Sequence, residues 1–173
     1  AVQLSITLDG MDSTQTAALN AVVTRGAFAR MLVAYSTFRE SVGSQGAVGT
    51  LYKDLPGSSA YAPYVRIAVQ QGWMSGYTDG TFRPEGRITR QQLAAILFRY
   101  TEYRGADTAG RTDLSRFSDS AAVADYAREA LAWAVSAGLL QGRSDGTLDP
   151  SGSATRAQTA VILQRLETLL EKN

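Results

Sequence analysis

The sequence contains no cysteine and no histidine among its 173 residues. Without cysteine the chain forms neither disulfide bonds nor reactive thiolates, so a small domain held together by disulfides is excluded. Without histidine it lacks the commonest general base, the usual partner of a nucleophilic serine and the commonest transition-metal ligand. Any catalysis would therefore depend on carboxylates.

An excess of charge and a long apolar run are also missing. The 17 Lys and Arg residues nearly balance the 16 Asp and Glu residues and are spread along the chain, so there is no basic stripe of the kind that binds nucleic acid. No apolar stretch approaches the roughly 20 residues that cross a bilayer. We expect neither a nucleic-acid partner nor membrane insertion. With 45% hydrophobic residues the chain is long enough to bury a core.

An internal repeat organises the chain. The segment GWMSGYTDGTFRP at 72–84 has a counterpart, GLLQGRSDGTLDP, at 138–150, with an offset of 66 residues from Gly72 to Gly138. Gly, Asp, Thr and Pro recur in step. Self-similarity at a fixed period is the signature of repeat architectures, so the chain is predicted to be built from copies of one helix-loop-helix unit.

Each unit has two further markers. A Thr-Arg pair opens a stretch with apolar residues three and four apart, at Thr24-Arg25, Thr89-Arg90 and Thr155-Arg156. An aromatic-x-Asp triplet precedes each Gly-rich segment, at 52–54 and at 117–119. The unit is therefore an aromatic-x-Asp triplet, a helix, a Gly-rich loop, a Thr-Arg pair and a second helix.

The residue types at the ends of the helices predict their caps. Each threonine of a Thr-Arg pair can be an N-cap, and Gln92 and Gln158 can close a capping box, whereas Ala27 cannot. Gly72 and Gly138 are predicted to end the preceding helices. The pattern predicts very little sheet and main helices over 24–38, 61–71, 90–103, 123–137 and 156–171.

These motifs resemble the S-layer homology family. The run Gly-Tyr-Thr-Asp-Gly-Thr-Phe-Arg-Pro with Ile-Thr-Arg after it is specific, and it recurs. The family pattern usually continues Thr-Arg-Ala-Glu, whereas the fourth position here is Ala27, Gln92 or Gln158. The resemblance divides the chain into an N-terminal segment of unclear role (1–20), a partial first repeat (21–48), a second repeat (51–104) and a third repeat (116–173), expected to form one compact domain.

The resemblance implies a fold and a function. The expected fold is mostly α, a pseudo-threefold array of helix-loop-helix repeats with a central helical bundle and projecting prongs. Grooves between the prongs would bind a secondary cell-wall polysaccharide, often through a pyruvylated sugar. The chain is then expected to be a secreted, non-enzymatic anchoring module at the bacterial cell surface and a portion of a larger surface protein. The alternative is a protein-interaction or self-association module that meets other surface-layer proteins without binding glycan.

The arginines of the Thr-Arg pairs are the sharpest candidates for ligand binding: Arg25, Arg90 and Arg156. An arginine at a helix N-terminus combines a bidentate cation with free backbone N–H groups, which suits a carboxylate such as a ketal pyruvate. Equally, these arginines could turn inward and hold carbonyl groups of the Asp-Gly-Thr loop. Both interpretations are consistent with their regular repetition.

The loop supplies the remaining candidates. Asp79 and Asp145 could face sugar hydroxyls, but an aspartate before glycine more often binds its own turn, and we favour that role. Aromatic rings could stack on a sugar, and Tyr77 is better placed for exposure than Trp73, which could fill the core, or Tyr61. Ser75, Gly76, Gln141 and Gly142 lie in the loop where small residues could let a ligand approach the backbone, or could simply form tight turns.

Metal and catalytic sites are not expected, and no cofactor is predicted. The segment at 144–149 has two carboxylates near a glycine but lacks the ladder of ligands and the distal Glu of an EF-hand. The candidate catalytic carboxylates, among them Asp54 and Asp119, recur in repeat register at turns and caps. A glycoside hydrolase instead needs one asymmetric pair held across the scissile bond.

Overall fold

The computed structural model describes residues 19–40 and 50–172. The N-terminal segment predicted at 1–20 therefore lies almost wholly outside the described residues, as does the end of the first repeat at 41–48. The described part contains five α-helices and two short 3₁₀ helices, and its only β-pairing consists of isolated bridges. The prediction of a mostly helical chain with very little sheet is confirmed.

The helices lie close to the predicted ranges, and we number them in chain order. They are α1 (Arg25–Glu40), α2 (Ala62–Gln70), α3 (Arg90–Tyr103), α4 (Asp125–Ser136) and α5 (Arg156–Leu170), with 3₁₀ helices at Leu114–Arg116 and Ser120–Ala122.

The chain divides into two compact units, Ala1–Ile88 and Thr89–Asn173. In the first unit α1 packs against α2, and in the second α3 packs against α4. Each packed pair therefore joins the second helix of one sequence repeat to the first helix of the next. The pseudo-threefold arrangement with a central bundle stays a prediction.

Each unit buries its own apolar core. In the first unit Phe28, Leu32, Val65 and Phe82 are inaccessible to solvent. In the second, the apolar faces of α3 and α4 meet, and Phe98 contacts the ring of Trp133 edge to face at 5.4 Å between centroids. Burying one large apolar side chain stabilises a fold by about 1.5–3 kcal/mol, so these clusters are a main source of each unit's stability.

The predicted caps begin and end the helices. Thr89 with Gln92, and Thr155 with Gln158, form complete capping boxes, whereas in α1 only the Thr24 hydroxyl accepts a bond, from the N–H of Ala27. Gly72 and Gly138 have φ of 75° and 71° and follow the C-caps of α2 and α4. A side chain resists this left-handed conformation, so glycine is required to end the helix there.

Candidate functional site

The aromatic-x-Asp triplet holds the far end of the Gly-rich loop. Asp54 accepts the backbone N–H of Phe82 at 2.8 Å and that of Arg83 at 2.7 Å. Arg83 is one of two non-glycine residues with positive φ in the described part of the chain, at 57°. The carboxylate therefore stabilises an unfavourable backbone conformation at the point where the loop turns toward the next helix.

The second copy repeats this arrangement. Asp119 accepts the N–H of Leu148 and that of Asp149, both at 2.8 Å, and Asp149 has φ of 50°. Phe82 and Leu148 occupy equivalent positions, and both are buried. The triplet, which the sequence showed only as a marker of the repeat, is thus a clamp on the loop.

The aromatic residue of the triplet explains the central glycine of the loop. Gly76 donates its N–H to the Tyr52 hydroxyl at 3.0 Å, and a Cβ on Gly76 would overlap the Tyr52 ring. A Cβ on Gly142 would likewise overlap the ring of Phe117. Glycine at these two positions makes room for an aromatic ring of its own repeat.

The arginines of the first two Thr-Arg pairs hold loop carbonyl groups. Arg25 donates from Nε to the carbonyl of Phe82 at 2.9 Å and from Nη2 to that of Ser75 at 2.8 Å. Only 5% of Arg25 is exposed. The inward orientation, one of the two interpretations left open by the sequence, is therefore present, and the loop that Arg25 holds belongs to the following repeat.

Arg90 makes the same contacts one repeat later. Its Nε donates to the carbonyl of Leu148 at 2.8 Å and its Nη2 to that of Gln141 at 2.6 Å. Arg90 is less buried than Arg25, so part of its guanidinium reaches the surface. Burial and, next, the charge of Arg143 lower the pKa of Arg90 from its usual value. An arginine keeps its charge at neutral pH regardless.

The first turns of α1 and α3 do not offer free N–H groups to an anion. Arg25 and Gly26 donate their backbone N–H groups to the carbonyls of Gly86 and Pro84, each at 2.8 Å. The first two residues of α3 donate to the carbonyls of Gly152 and Pro150. Because the threonine caps take the third N–H group, the expected receiver of a carboxylate is occupied by the protein itself in both helices.

The aspartates of the Asp-Gly turns bind their own turns. Asp79 Oδ1 accepts the backbone N–H of Thr81 at 2.9 Å and its hydroxyl at 2.6 Å, and Asp79 Oδ2 pairs with Arg83 at 2.9 Å. The Thr81 hydroxyl, then its N–H, lower the pKa of Asp79 to about 2. Asp145 makes the same two bonds to Thr147, which lower its pKa too.

The three aromatic candidates have different surroundings. Trp73 is fully buried, so its ring fills the core and does not face a ligand, which corrects its inclusion among the site residues. Tyr77 is half-buried, with the guanidinium groups of Arg83 and Arg25 at 4.0 and 4.9 Å from its ring centroid. Tyr61 is half-buried as well, and its ring lies where a Cβ on Gly26 would be.

A groove of about 390 Å³ in the second unit brings several of the candidates together. It lies between the Gly-rich loop of the third repeat, at 138–150, and the start of α5, and its lining includes Arg90, Gln141 and Gly142. Two arginines that the sequence did not single out, Arg143 and Arg165, line it as well. We call this the arginine groove. Arg25, Gly76, Tyr77 and Asp79 belong to the first unit, and Arg156 is not among the lining residues.

The described charged residues that line the arginine groove are all positive. Among the described residues, its lining contains three arginines and no carboxylate, and Asp149 outside it pairs with Arg143. The lining includes Gln158, at the position where the family pattern has glutamate. Arg165 could have been found from the repeat, since Arg99 lies 66 residues before it. Arg143 gave no such signal, because Tyr77 occupies the equivalent position.

Residues 19–40 and 50–172 contain no helix that is both long and apolar enough to span a bilayer. They also contain no group of three or more acidic, cysteine or histidine side chains arranged to hold a metal ion.

The chain is similar to parts of several longer proteins. It is 30% identical over 171 residues to the amylopullulanase of Thermoanaerobacterium thermosulfurigenes, a match that covers 96% of this chain and 8% of that protein. Cell surface glycoprotein 1 of Acetivibrio thermocellus is 38% identical over 94 residues, 54% of this chain and 4% of that protein. The cellulosome-anchoring protein of the same species is 28% identical over 114 residues, 66% of this chain and 25% of that protein.

The chain thus spans a quarter or less of the length of these relatives. The S-layer homology domain family matches residues 51–94 and 116–160, which together make up just over half of the chain. The two matched stretches contain both loops and both aspartate clamps. The chain therefore belongs to the S-layer homology domain family, and it is a secreted cell-surface protein of the anchoring kind.

Proposed function

We propose that this chain attaches a protein to the cell wall by binding an acidic secondary cell-wall polysaccharide, such as a pyruvylated one, in the arginine groove. The observation that carries the proposal is the charge of that groove, whose described lining has three arginines and no carboxylate. The name of the cellulosome-anchoring relative supports attachment. No catalytic role is proposed, because the candidate carboxylates Asp54 and Asp119 are engaged in clamping the loops.

The groove suits a carboxylate on a sugar. A guanidinium binds a carboxylate through charge-assisted, often bidentate hydrogen bonds. Arg90 and Arg143 repel each other, since the charge of Arg143 is among the causes that lower the pKa of Arg90. A bound anion would offset that repulsion. The lining also contains Val161 and Ile162, and such apolar surface suits the C–H face of a sugar ring.

Arg90 is the wrong residue for the first test. Because it also holds the carbonyls of Gln141 and Leu148, its removal would disturb the loop and the ligand site together. Arg143 lines the groove from the loop surface, and its described bond is an exposed ion pair with Asp149. Exposed pairs contribute at most about 1 kcal/mol to stability, so Arg143→Gln is expected to leave the fold intact.

The test is co-sedimentation with peptidoglycan sacculi that keep their secondary polymer or have been stripped of it. We expect the chain to pellet only with unstripped sacculi, and Arg143→Gln to weaken that binding about tenfold, as the loss of one charge-assisted bond predicts. Arg111→Gln is the matched control, since Arg111 is an exposed arginine paired with Glu129 outside the arginine groove.

Each other outcome has a definite meaning. Equal losses in Arg143→Gln and Arg111→Gln would contradict the arginine groove as the binding site. Pelleting with stripped sacculi would exclude the secondary polymer as the ligand. A chain that pellets with neither preparation would instead favour the alternative function, association with other surface-layer proteins.

A further inference from the structure

A second groove lies beside the arginine groove in the same unit. It has a volume of about 470 Å³, and its lining includes Gly138, Thr168 and Lys172. The two grooves share Gln141 and Arg165. They are therefore adjoining parts of one surface along α5, with Arg165 at the junction.

The described lining of the second groove carries no negative charge either. Its charged residues are Arg165 and Lys172, and it contains no carboxylate side chain. Arg165 donates from Nη1 to the carbonyl of Gly138 at 3.2 Å. Because a guanidinium carries five N–H donors, Arg165 has donors beyond this bond at the place where the grooves meet.

The second groove follows the C-terminal part of α5, as the spacing of its lining residues shows. Arg165, Thr168 and Leu169 are three and four residues apart on α5, so they share one face of that helix. Lys172 follows just after the helix ends at Leu170. At a helical rise of 1.5 Å per residue, the separation of seven positions between Arg165 and Lys172 corresponds to about 10 Å, which is comparable to the length of two linked sugar rings.

We propose that this second groove is a subsite for the sugar unit next to the one held in the arginine groove, so that the chain binds at least two consecutive units of an acidic polymer. The inference rests on the proposed function. In this arrangement Arg165 contacts both units, Lys172 attracts the negative charge of the outer unit, and the exposed Thr168 lies under the outer unit in the second groove.

The test compares two probes by isothermal titration. One is the methyl glycoside of a single ketal-pyruvylated sugar, and the other is the polysaccharide released from sacculi. Thr168→Trp fills the second groove, and Lys172→Gln removes its outer charge. Both residues are exposed, so the fold should tolerate these changes. Lys53→Gln, an exposed lysine of the other unit, is the control.

We expect Thr168→Trp to weaken binding of the polysaccharide about tenfold, and Lys172→Gln about threefold, as for an exposed charge. Binding of the single sugar should change by less than about twofold in each variant, because neither residue lines the arginine groove. Such a difference between the probes would support the subsite.

Unchanged polysaccharide binding in both variants would overturn the subsite while leaving the proposed function intact. Equal weakening for the two probes would also overturn it, since the residues would then act on the first sugar. If the unaltered chain binds neither probe, the proposed function fails and the subsite with it.

Discussion

Asp54 and Asp119 each stabilise a backbone conformation that is unfavourable by itself. Each accepts two N–H groups at 2.7–2.8 Å, and the second N–H belongs to a non-glycine residue with positive φ. The left-handed conformation costs about 1–2 kcal/mol. Hydrogen bonds to a charged group contribute about 1.5–3 kcal/mol each. The two bonds therefore exceed the cost, which explains why arginine and aspartate can occupy these positions.

The turn aspartate Asp79 gives a prediction about pH. Its folded-state pKa of about 2 lies below the unfolded value of 3.8, so the stability that its charge contributes is present above pH 4 and is lost as the pH falls toward 2. In thermal unfolding, Asp79→Asn should lower Tm at pH 6, and the difference from the unaltered chain should shrink steadily below pH 4. A difference that stays constant from pH 6 to pH 2 would show that the carboxylate charge plays no part.

At the scale of an element, the Gly-rich loop is held from three directions. Asp54 clamps its end, Arg25 bonds its carbonyls, and Tyr52 covers Gly76. None of these three contacts is local, because each joins residues at least 24 apart in sequence. The loop is thus shaped by tertiary contacts together with its own Asp-Gly turn.

This loop allows two glycines to be distinguished by experiment. Gly76→Ala should cost about 1–3 kcal/mol through overlap with Tyr52. Gly72→Ala should cost about 1–2 kcal/mol through its φ of 75° alone, since a Cβ there meets nothing within 4 Å. Urea unfolding in a Tyr52→Ala background tests the difference. The cost of Gly76→Ala should fall there, with a remainder from the Thr81 carbonyl oxygen, which lies 2.8 Å from that Cβ. The cost of Gly72→Ala should not change, and equal behaviour of the two would contradict the steric explanation.

Local signals in the sequence predicted the elements well. Thr89 and Gln92 predict a capping box, Gly72 predicts the end of a helix, and the apolar spacing predicts the helix itself. Each of these features depends only on residues within a few positions of one another. The partner of Arg25 could not be predicted in this way. A Thr-Arg pair looks the same whether its guanidinium faces a ligand or a loop 50 residues away.

The candidate site was predictable only in part, for the same reason. Arg90, Gln141 and Gly142 belong to repeated motifs and line the arginine groove as a group. Arg143 has no arginine at the equivalent position of the other repeat, and its place in the groove depends on the tertiary position of the loop at 138–150. Trp73 was misplaced because an aromatic residue beside a glycine has the same pattern in a core and on a surface.

At the scale of the whole molecule, the compact units are out of phase with the sequence repeats. The boundary between Ile88 and Thr89 falls inside the second repeat, between its loop and its second helix. The reason is that α1 and α3 pack with the helix and hold the loop of the following repeat. The repeat boundaries at 51–104 and 116–173 stay predictions from the sequence pattern.

This phase shift predicts which fragments fold. A fragment of residues 89–173 keeps Arg90 with the loop it holds and α3 with α4, so it should be helical and unfold cooperatively in urea. A fragment of residues 116–173 matches the third sequence repeat but lacks α3, including the buried Leu93 and Leu97, and should not unfold cooperatively. Circular dichroism during urea titration measures both, and cooperative unfolding of the shorter fragment would contradict the prediction.

Arg25 and Arg90 each bind a loop that lies later in the chain, so each arginine is synthesised before the loop that it holds. Arg25 leaves the ribosome 50 residues before Ser75 and 57 residues before Phe82, and Arg90 precedes Gln141 and Leu148 by 51 and 58 residues. Translation proceeds from the N-terminus, and domains generally fold as units. Each of these two loops is synthesised after the arginine that holds it, so neither compact unit can complete its arginine contacts until its loop has been made.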